Sequence, residues 1–189
     1  MSEDNKNIFI ATGGTGGHIF PAVSLMEYLN KIGFMSILTT DLRGYKFIDK
    51  KNMRKTILID SSSLNRGKKF ISILKILSSI FRSLIILFKN KPKFIFGMGG
   101  YASFPVCLAG ILLRIPIVIY ENNLLIGKAN RFLAPFSKRI FVTYKDIQGI
   151  NTKYKDRTIV TGNIIRVDIL NFSKSNDHET RDCLNILVL

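Results

Sequence analysis

The sequence predicts an α/β protein, a Rossmann-like unit in which a parallel sheet carries helices on both faces. Two observations lead there. Short apolar runs of strand length alternate with longer stretches of helical periodicity. Glycine-rich turns also stand directly after two of the predicted strands, at the sheet edge where doubly wound folds bind ligands.

The elements follow in order. Ile8–Ala11 reads as a buried strand and leads into the loop Thr12–His18. Pro21 suits a first helical turn, and Ala22, Leu25, Met26 and Leu29 recur at helical spacing, so a helix is expected over Pro21–Ile32. Met35–Thr39 and Thr56–Ile59 are the next strands. Phe94–Phe96, Ile117–Tyr120, Ile140–Val142 and Ile159–Val160 continue the series. Helices are expected over Ser72–Lys89, Ala102–Arg114 and Gly127–Ala134. After Asn163–Leu170 comes a polar stretch, NFSKSNDHETRD, and then an apolar run, Leu184–Leu189. Residues 1–170 therefore read as one domain and 171–183 as a linker. Residues 184–189 read either as a last strand of the same sheet or as the first strand of a second domain.

Phe70–Phe88 is mostly Ile, Leu and Phe and approaches the length of a membrane span. Ser72, Lys75, Ser79 and Arg82 interrupt it every three or four residues, as a polar stripe along one side of a helix. A charged stripe is costly in a spanning helix. The segment reads either as a core helix or as an amphipathic helix that touches a bilayer.

Composition narrows the function classes. The chain has 189 residues, is 47% hydrophobic and 22% charged, and so falls within globular usage. Its two cysteines, Cys107 and Cys183, form neither a disulfide framework nor a metal motif, and suit a reducing compartment. The net charge of +15 attracts polyanions such as anionic lipid or phosphorylated substrates, although biased codon usage also produces lysine-rich chains. No zinc-finger spacing or RNP-like strand points to nucleic acid.

The chemistry-bearing residues lie after the strands. Thr12-Gly13-Gly14-Thr15-Gly16-Gly17-His18 follows the first strand. Its glycines let backbone amides approach an anion at a helix N-terminus. It matches neither G-x-x-x-x-G-K-[ST] nor G-x-G-x-x-G, although Asp41 past the second strand keeps a dinucleotide reading open. His18 stands at the loop-to-helix junction, where an imidazole acts as a general base or merely caps the loop. Gly97-Met98-Gly99-Gly100-Tyr101 follows the fourth strand, as a second anion nest or as a tight packing turn. Glu121-Asn122-Asn123 offers donors and acceptors suited to hydroxyl-rich ligands. Gly162-Asn163-Ile164-Ile165-Arg166 follows the last strand, and Arg166 brings a phosphate-binding fork. No D-x-D pair occurs, so a metal-held sugar nucleotide is not indicated and no cofactor is expected.

In this order, G-G-T-G-G-H, G-M-G-G-Y, E-N-N and G-N-x-x-R resemble the MurG family, the bacterial glucosaminyltransferases that make lipid II for peptidoglycan. The resemblance covers Ile8 to Leu189 and falls on the family's N-terminal half. It implies a GT-B fold, two Rossmann-like domains facing across a cleft. It also implies inverting transfer of N-acetylglucosamine from UDP-GlcNAc to undecaprenyl-diphosphate-linked MurNAc-pentapeptide, at the cytoplasmic face of the cell membrane. By the same resemblance Thr15, Gly16, Gly17, Asn123 and Arg166 correspond to donor-contacting positions, His18 to the base, and Gly97, Gly99, Gly100, Tyr101 and Glu121 to the acceptor side. The family usually reads H-E-Q-N where this chain has Tyr120-Glu121-Asn122-Asn123. The family's donor domain continues beyond the LNILVL run, so the 189 residues alone are expected to be inactive. An acceptor- and membrane-binding half that works with a separate donor chain is the alternative.

Overall fold

A computed structural model describes residues 6–60, 69–166 and 169. Seven strands run parallel: β1 (Asn7–Ala11), β2 (Met35–Thr40), β3 (Thr56–Leu58), β4 (Phe94–Gly97), β5 (Ile117–Glu121), β6 (Arg139–Val142) and β7 (Thr158–Val160), in the order β3-β2-β1-β4-β5-β6-β7. The helices are α1 (Gly16–Lys31), α2 (Leu42–Tyr45), α3 (Lys50–Met53), α4 (Lys69–Asn90), α5 (Ser103–Leu112) and α6 (Lys128–Leu133). Short 3-10 turns at Ala134–Phe136 and Thr152–Arg157 precede β6 and β7.

β1 lies inside the sheet between β2 and β4, and Phe9 pairs in register with Ile37 of β2 and Ile95 of β4. The chain first steps outward from β1 to β3, then crosses back through α4 and steps the other way. Right-handed crossovers therefore put α1 on one face and α4, α5 and α6 on the other. The alternation of β1 serves both layers. Ile8 and Ile10 pack with Ile19, Ala22 and Met26 of α1. Phe9 and Ala11 pack with Leu87, Val106, Ala109 and Leu133 on the opposite face. The reversal of strand order falls between β1 and β4, which opens a crevice at their carboxyl ends.

The seven strands expected between residues 8 and 160 form, with ends shifted by a residue or so. The largest departure among the helices is α1, which starts at Gly16 rather than Pro21. Pro21 thus lies inside a helix, where its missing N–H leaves the Gly17 carbonyl without its usual partner. The side chain of Asn122, at the end of β5, supplies that donor from Nδ2 at 2.6 Å.

The polar stripe expected on Phe70–Phe88 is divided in the structure. Ser72, Ser79 and Ser83 are buried, while Lys75 and Arg82 are exposed. The serine side faces the protein: Ser79 Oγ donates to the Asp60 carbonyl at 2.7 Å and Ser83 Oγ to the Ser79 carbonyl at 2.7 Å. The larger apolar residues face outward, with Phe81 66% and Phe88 68% exposed, beside Ile71, Ile73, Leu74, Leu77 and Ile85. The helix still buries Leu87 in the core with Ile80, Leu84 and Ile86 packed against it, so it is apolar on both its inner and its outer side. The expected linker at 171–183 and strand at 184–189 lie outside the described residues.

Candidate active site at the strand-order reversal

The two glycine-rich loops meet directly. Met98 donates its amide to the Ala11 carbonyl at 2.7 Å, and Gly13 donates to the Gly99 carbonyl at 2.8 Å. Gly99 and Gly100 adopt φ of +82° and +79°, which side chains rarely tolerate. A Cβ on Gly100 would stand 2.5 Å from the Gly13 Cα, so the crossing requires glycine on both strands of the contact. Much of what looked like an anion nest is therefore engaged in protein packing. Ser103 Oγ takes the Gly100 carbonyl at 2.9 Å. Gly97, the last residue of β4, is buried against Cys107, whose Sγ would lie 2.8 Å from an added Cβ. Gly14 makes room for the side chains of Asp41 and Arg43.

Asp41 is committed to local structure as well. It caps α2 by accepting from the amides of Arg43 and Gly44, and it pairs with the Arg43 guanidinium at 2.7 Å. A carboxylate occupied in this way is poorly placed to read a ribose, which weighs against the dinucleotide reading.

A cavity of about 240 Å³ opens beside the crossing, with His18, Gly99, Gly100, Tyr101, Glu121 and Asn123 in its walls. His18 is the third residue of α1. Burial holds its imidazole below the ordinary histidine pKa, opposed by the nearby Glu121 carboxylate and the Met98 carbonyl. Its buried Nδ1 nevertheless has no partner within hydrogen-bonding geometry. Burial thus favours the neutral ring, the form a base requires.

Glu121 takes a different part from the one its sequence position suggests. It is 1% exposed and accepts four hydrogen bonds from the protein. Oε1 receives the Asn123 amide at 3.1 Å and Asn123 Nδ2 at 2.8 Å. Oε2 receives the Gly127 amide at 2.9 Å and Asn130 Nδ2 at 3.0 Å. With both oxygens filled, Glu121 shapes the 121–130 loop rather than offering a free acceptor. Asn123 stays in the cavity wall with its amide fixed by that carboxylate.

The other expected site residues lie around this cavity or apart from it. Thr15 is the exposed residue before α1, and Gly16 and Gly17 form its first turn, where helix amides have no intrahelical partner. Arg166 is placed elsewhere: its guanidinium stacks on Phe20 at 5.0 Å, over a second depression with Glu27, Asp49 and Lys51. Tyr120 stands where the related family usually has histidine. Its hydroxyl lies 3.1 Å from Thr143 Oγ1, contacts the Gly162 carbonyl at 3.2 Å and accepts from the Ile164 amide at 3.2 Å. It thus anchors the Gly162-Asn163-Ile164 turn against β6.

Three contributors have weak sequence signals. Lys128 and Asn130 enter the cavity wall from the start of α6, marked in sequence only by Gly127 before a short amphipathic run. Asn122 matters through the carbonyl that Pro21 leaves free. Among the described residues no cluster of three or more His, Cys, Asp or Glu side chains could hold a metal ion.

Comparison with known proteins fits this architecture. The Glycosyltransferase family 28 N-terminal domain matches residues 8–142. Curated relatives named UDP-N-acetylglucosamine–N-acetylmuramyl-(pentapeptide) pyrophosphoryl-undecaprenol N-acetylglucosamine transferase include that of Rickettsia bellii. It is 41% identical over 87% of this chain and 46% of its own length. The Rickettsia prowazekii protein of the same name is 41% identical over 87% of this chain and 42% of its own length. The chain thus spans about half the length of the curated relatives it matches. The crystal structure of Acinetobacter baumannii MurG superposes with a TM-score of 0.69 at 24% identity, covering 90% of this chain and 49% of that one. A UDP-GlcNAc 2-epimerase from Neisseria meningitidis, solved with UDP-GlcNAc, shares the fold at a TM-score of 0.60 and 19% identity, over 89% of this chain and 49% of that one. Because the family match runs from β1 through β6 and takes in both glycine loops, the chain belongs to glycosyltransferase family 28 and contains its N-terminal domain.

Proposed function

We propose that this chain is the acceptor-side half of an inverting glycosyltransferase. It serves transfer of N-acetylglucosamine from UDP-GlcNAc to the 4-hydroxyl of undecaprenyl-diphosphate-linked MurNAc-pentapeptide. The observation that carries the reading is His18, at the start of α1, in the wall of a cavity at the strand-order reversal beside Gly99, Gly100 and Tyr101. The names of the curated relatives supply the substrates.

In the proposed reaction the acceptor sugar enters beside Gly99, Gly100 and Tyr101. His18 takes the proton of its 4-hydroxyl as that oxygen attacks the anomeric carbon, and UDP leaves from the opposite face. Thr15, Gly16 and Gly17 present helix amides and a positive dipole end toward the donor's diphosphate. Asn123 addresses the sugar, while Arg166, stacked on Phe20 over a separate depression, is given no part in this step. Gly97 supports the fold, and Glu121 sets the loop that carries Asn123.

The membrane part of the reading rests on α4. Ile71–Asn90 is long and apolar enough to cross a membrane by length and composition, with a mean hydropathy of 2.0, and 22% of it is buried in the protein. Ser72, Ser79 and Ser83 face the fold, and Phe81 and Phe88 face outward among Lys75, Arg82 and Lys89. That pattern suits a helix lying at an anionic bilayer surface, as a peripheral attachment at the cytoplasmic face. There it keeps the site beside a lipid-linked acceptor.

Calorimetry on this chain tests the proposal with two probes, a short-chain lipid-linked MurNAc-pentapeptide and UDP-GlcNAc. Acceptor binding that weakens in Tyr101→Ala, together with far weaker donor binding, is expected. Tight donor binding with no acceptor binding would overturn the assignment of sides.

A further inference from the structure

Side chains of β4, β5 and β6 alternate between the two faces of the sheet. Ile95, Ile119 and Ile140 pack into the core with Val106 of α5 and Leu133 of α6. Phe94, Phe96 and Phe141 point the other way, toward the layer of α1, and Val118 pairs in register with Phe96. All four are only half-buried. On that face α1 stands over β1 and β2, while α4, α5 and α6 lie on the opposite face. The four side chains therefore floor an open groove of about 780 Å³. The Phe96 and Phe141 rings stack at its centre, 5.8 Å apart and 8° from parallel. Parallel sheets are normally covered on both faces, so an apolar floor of this kind calls for an occupant.

The rim says what kind. Lys93 precedes β4, and Lys138 and Arg139 lie at the start of β6; all three are exposed at the mouth of the groove. Among the described residues none of the three has an acidic partner. A second copy of the chain would bring its own three cations to the same rim, and like charges in contact oppose association. A bilayer held by α4 lies on the other face of the sheet. The span from β4 to β6 is two strand spacings, about 10 Å, which matches the diameter of one α-helix. The curated relatives are about twice as long as the part matched here, which covers 46% and 42% of two of them, so a complete family member carries a second half that can supply such a helix.

We propose that this groove seats an amphipathic α-helix from the second half of the complete enzyme. Its apolar face lies on Phe96, Val118 and Phe141, and its acidic residues meet Lys93, Lys138 and Arg139. The contact is at the amino ends of the strands, whereas the crevice is at their carboxyl ends. It thus ties the two halves together away from the site, as a second attachment besides the chain connection. The proposal holds whichever substrates the enzyme joins, so it and the glycosyl-transfer reading fail separately.

The test compares the 189-residue chain with the same chain fused to the remaining half of the Rickettsia bellii relative. Both carry Val118→Cys and Cys183→Ser; Cys107 is buried. Iodoacetamide labelling is read at the residue 118 peptide by mass spectrometry. Fast labelling of the chain alone is expected, with labelling roughly tenfold or more slower in the fusion. Lys93→Glu, Lys138→Glu and Arg139→Glu together should return the fusion toward the fast rate. Carbodiimide coupling should link Lys93 or Lys138 to an Asp or Glu of the added half within one molecule. If the fusion does not fold, a cysteine at the position aligned with Val118 in the full-length Rickettsia bellii protein gives the same reading: protection supports the proposal and free labelling overturns it. Equal rates in chain and fusion overturn it. So does protection of the chain alone that grows with its concentration, which would assign the groove to a second copy, or that needs anionic vesicles, which would assign it to lipid.

Discussion

Replacing Glu121 by glutamine tests the claim that this carboxylate organises the site loop. The side chain is 1% exposed, and each oxygen accepts two hydrogen bonds from the protein. Glutamine keeps the shape but turns one oxygen into a donor. If the amide faces the Asn123 pair, two donors meet an NH2 group; if it faces Gly127 and Asn130, the same conflict arises there. Either way two bonds to a charged group are lost, at about 1.5–3 kcal/mol each. A cost of roughly 3–6 kcal/mol is a large part of the usual 5–15 kcal/mol stability of a domain. At about 2–4 °C per kcal/mol for a chain of this size, the melting temperature should fall by roughly 6–24 °C. Circular dichroism on wild type and Glu121→Gln measures it. Hydrogen exchange at the Asn123 and Gly127 amides should accelerate together. A drop under about 2 °C, less than the loss of a single such bond, would show that the four contacts do not carry the loop.

Other consequences are as accessible. Because burial lowers the His18 pKa, the unfolded chain binds the extra proton first. The His18 contribution is complete above about pH 6.5 and is lost as pH falls through the folded value. His18→Gln should flatten that part of the stability–pH curve, and an unchanged slope would contradict the burial argument. In an enzyme completed by a relative's remaining half, His18→Ala should lower kcat by roughly 10²–10⁴-fold in a radiolabelled transfer assay. On liposomes, changing Lys75, Arg82 and Lys89 to glutamine should weaken binding to anionic vesicles by about 1 kcal/mol each at low salt. Phe81→Ser with Phe88→Ser should weaken binding to neutral and anionic vesicles alike. Cys107 is buried with its thiol pushed up to about 12, so in a Cys183→Ser background it should resist alkylation until the chain unfolds.

The sheet was legible because each strand is a short apolar run bounded by turn residues. Its parallel order followed from the helical stretches between the runs. The start of α1 was not, since Pro21 resembles a start signal and Gly16-Gly17 resembles a loop; the Asn122 side chain, just past β5, bonds the first turn at Gly17. For α4 the spacing of polar residues was visible but not their direction. Serines and charges look alike in a periodic pattern, yet only the serines are small and neutral enough to face the fold. At the site, His18, Tyr101, Asn123 and the glycines could be picked out as residues following strands. The role of Glu121 could not, because its four donors come from residues up to nine positions away and depend on the fold of one loop. Asn130 gave no signal at all, since one asparagine in a short helix carries no periodicity.

The proline inside α1 sets two kinds of selection against each other. Proline in a helix interior costs about 3 kcal/mol relative to alanine. A search for heat-resistant variants would therefore favour Pro21→Ala, which restores a regular helix and gives the Gly17 carbonyl a donor of its own. Asn122 would then be redundant at that carbonyl, and the tie from the end of β5 to the first turn of α1 would slacken. The irregularity works as a socket: an acceptor left vacant by one residue so that another, 105 positions along the chain, can plug into it. Variants selected for heat resistance alone should accumulate changes at this pair and lose the alignment of the two loops that border the crevice.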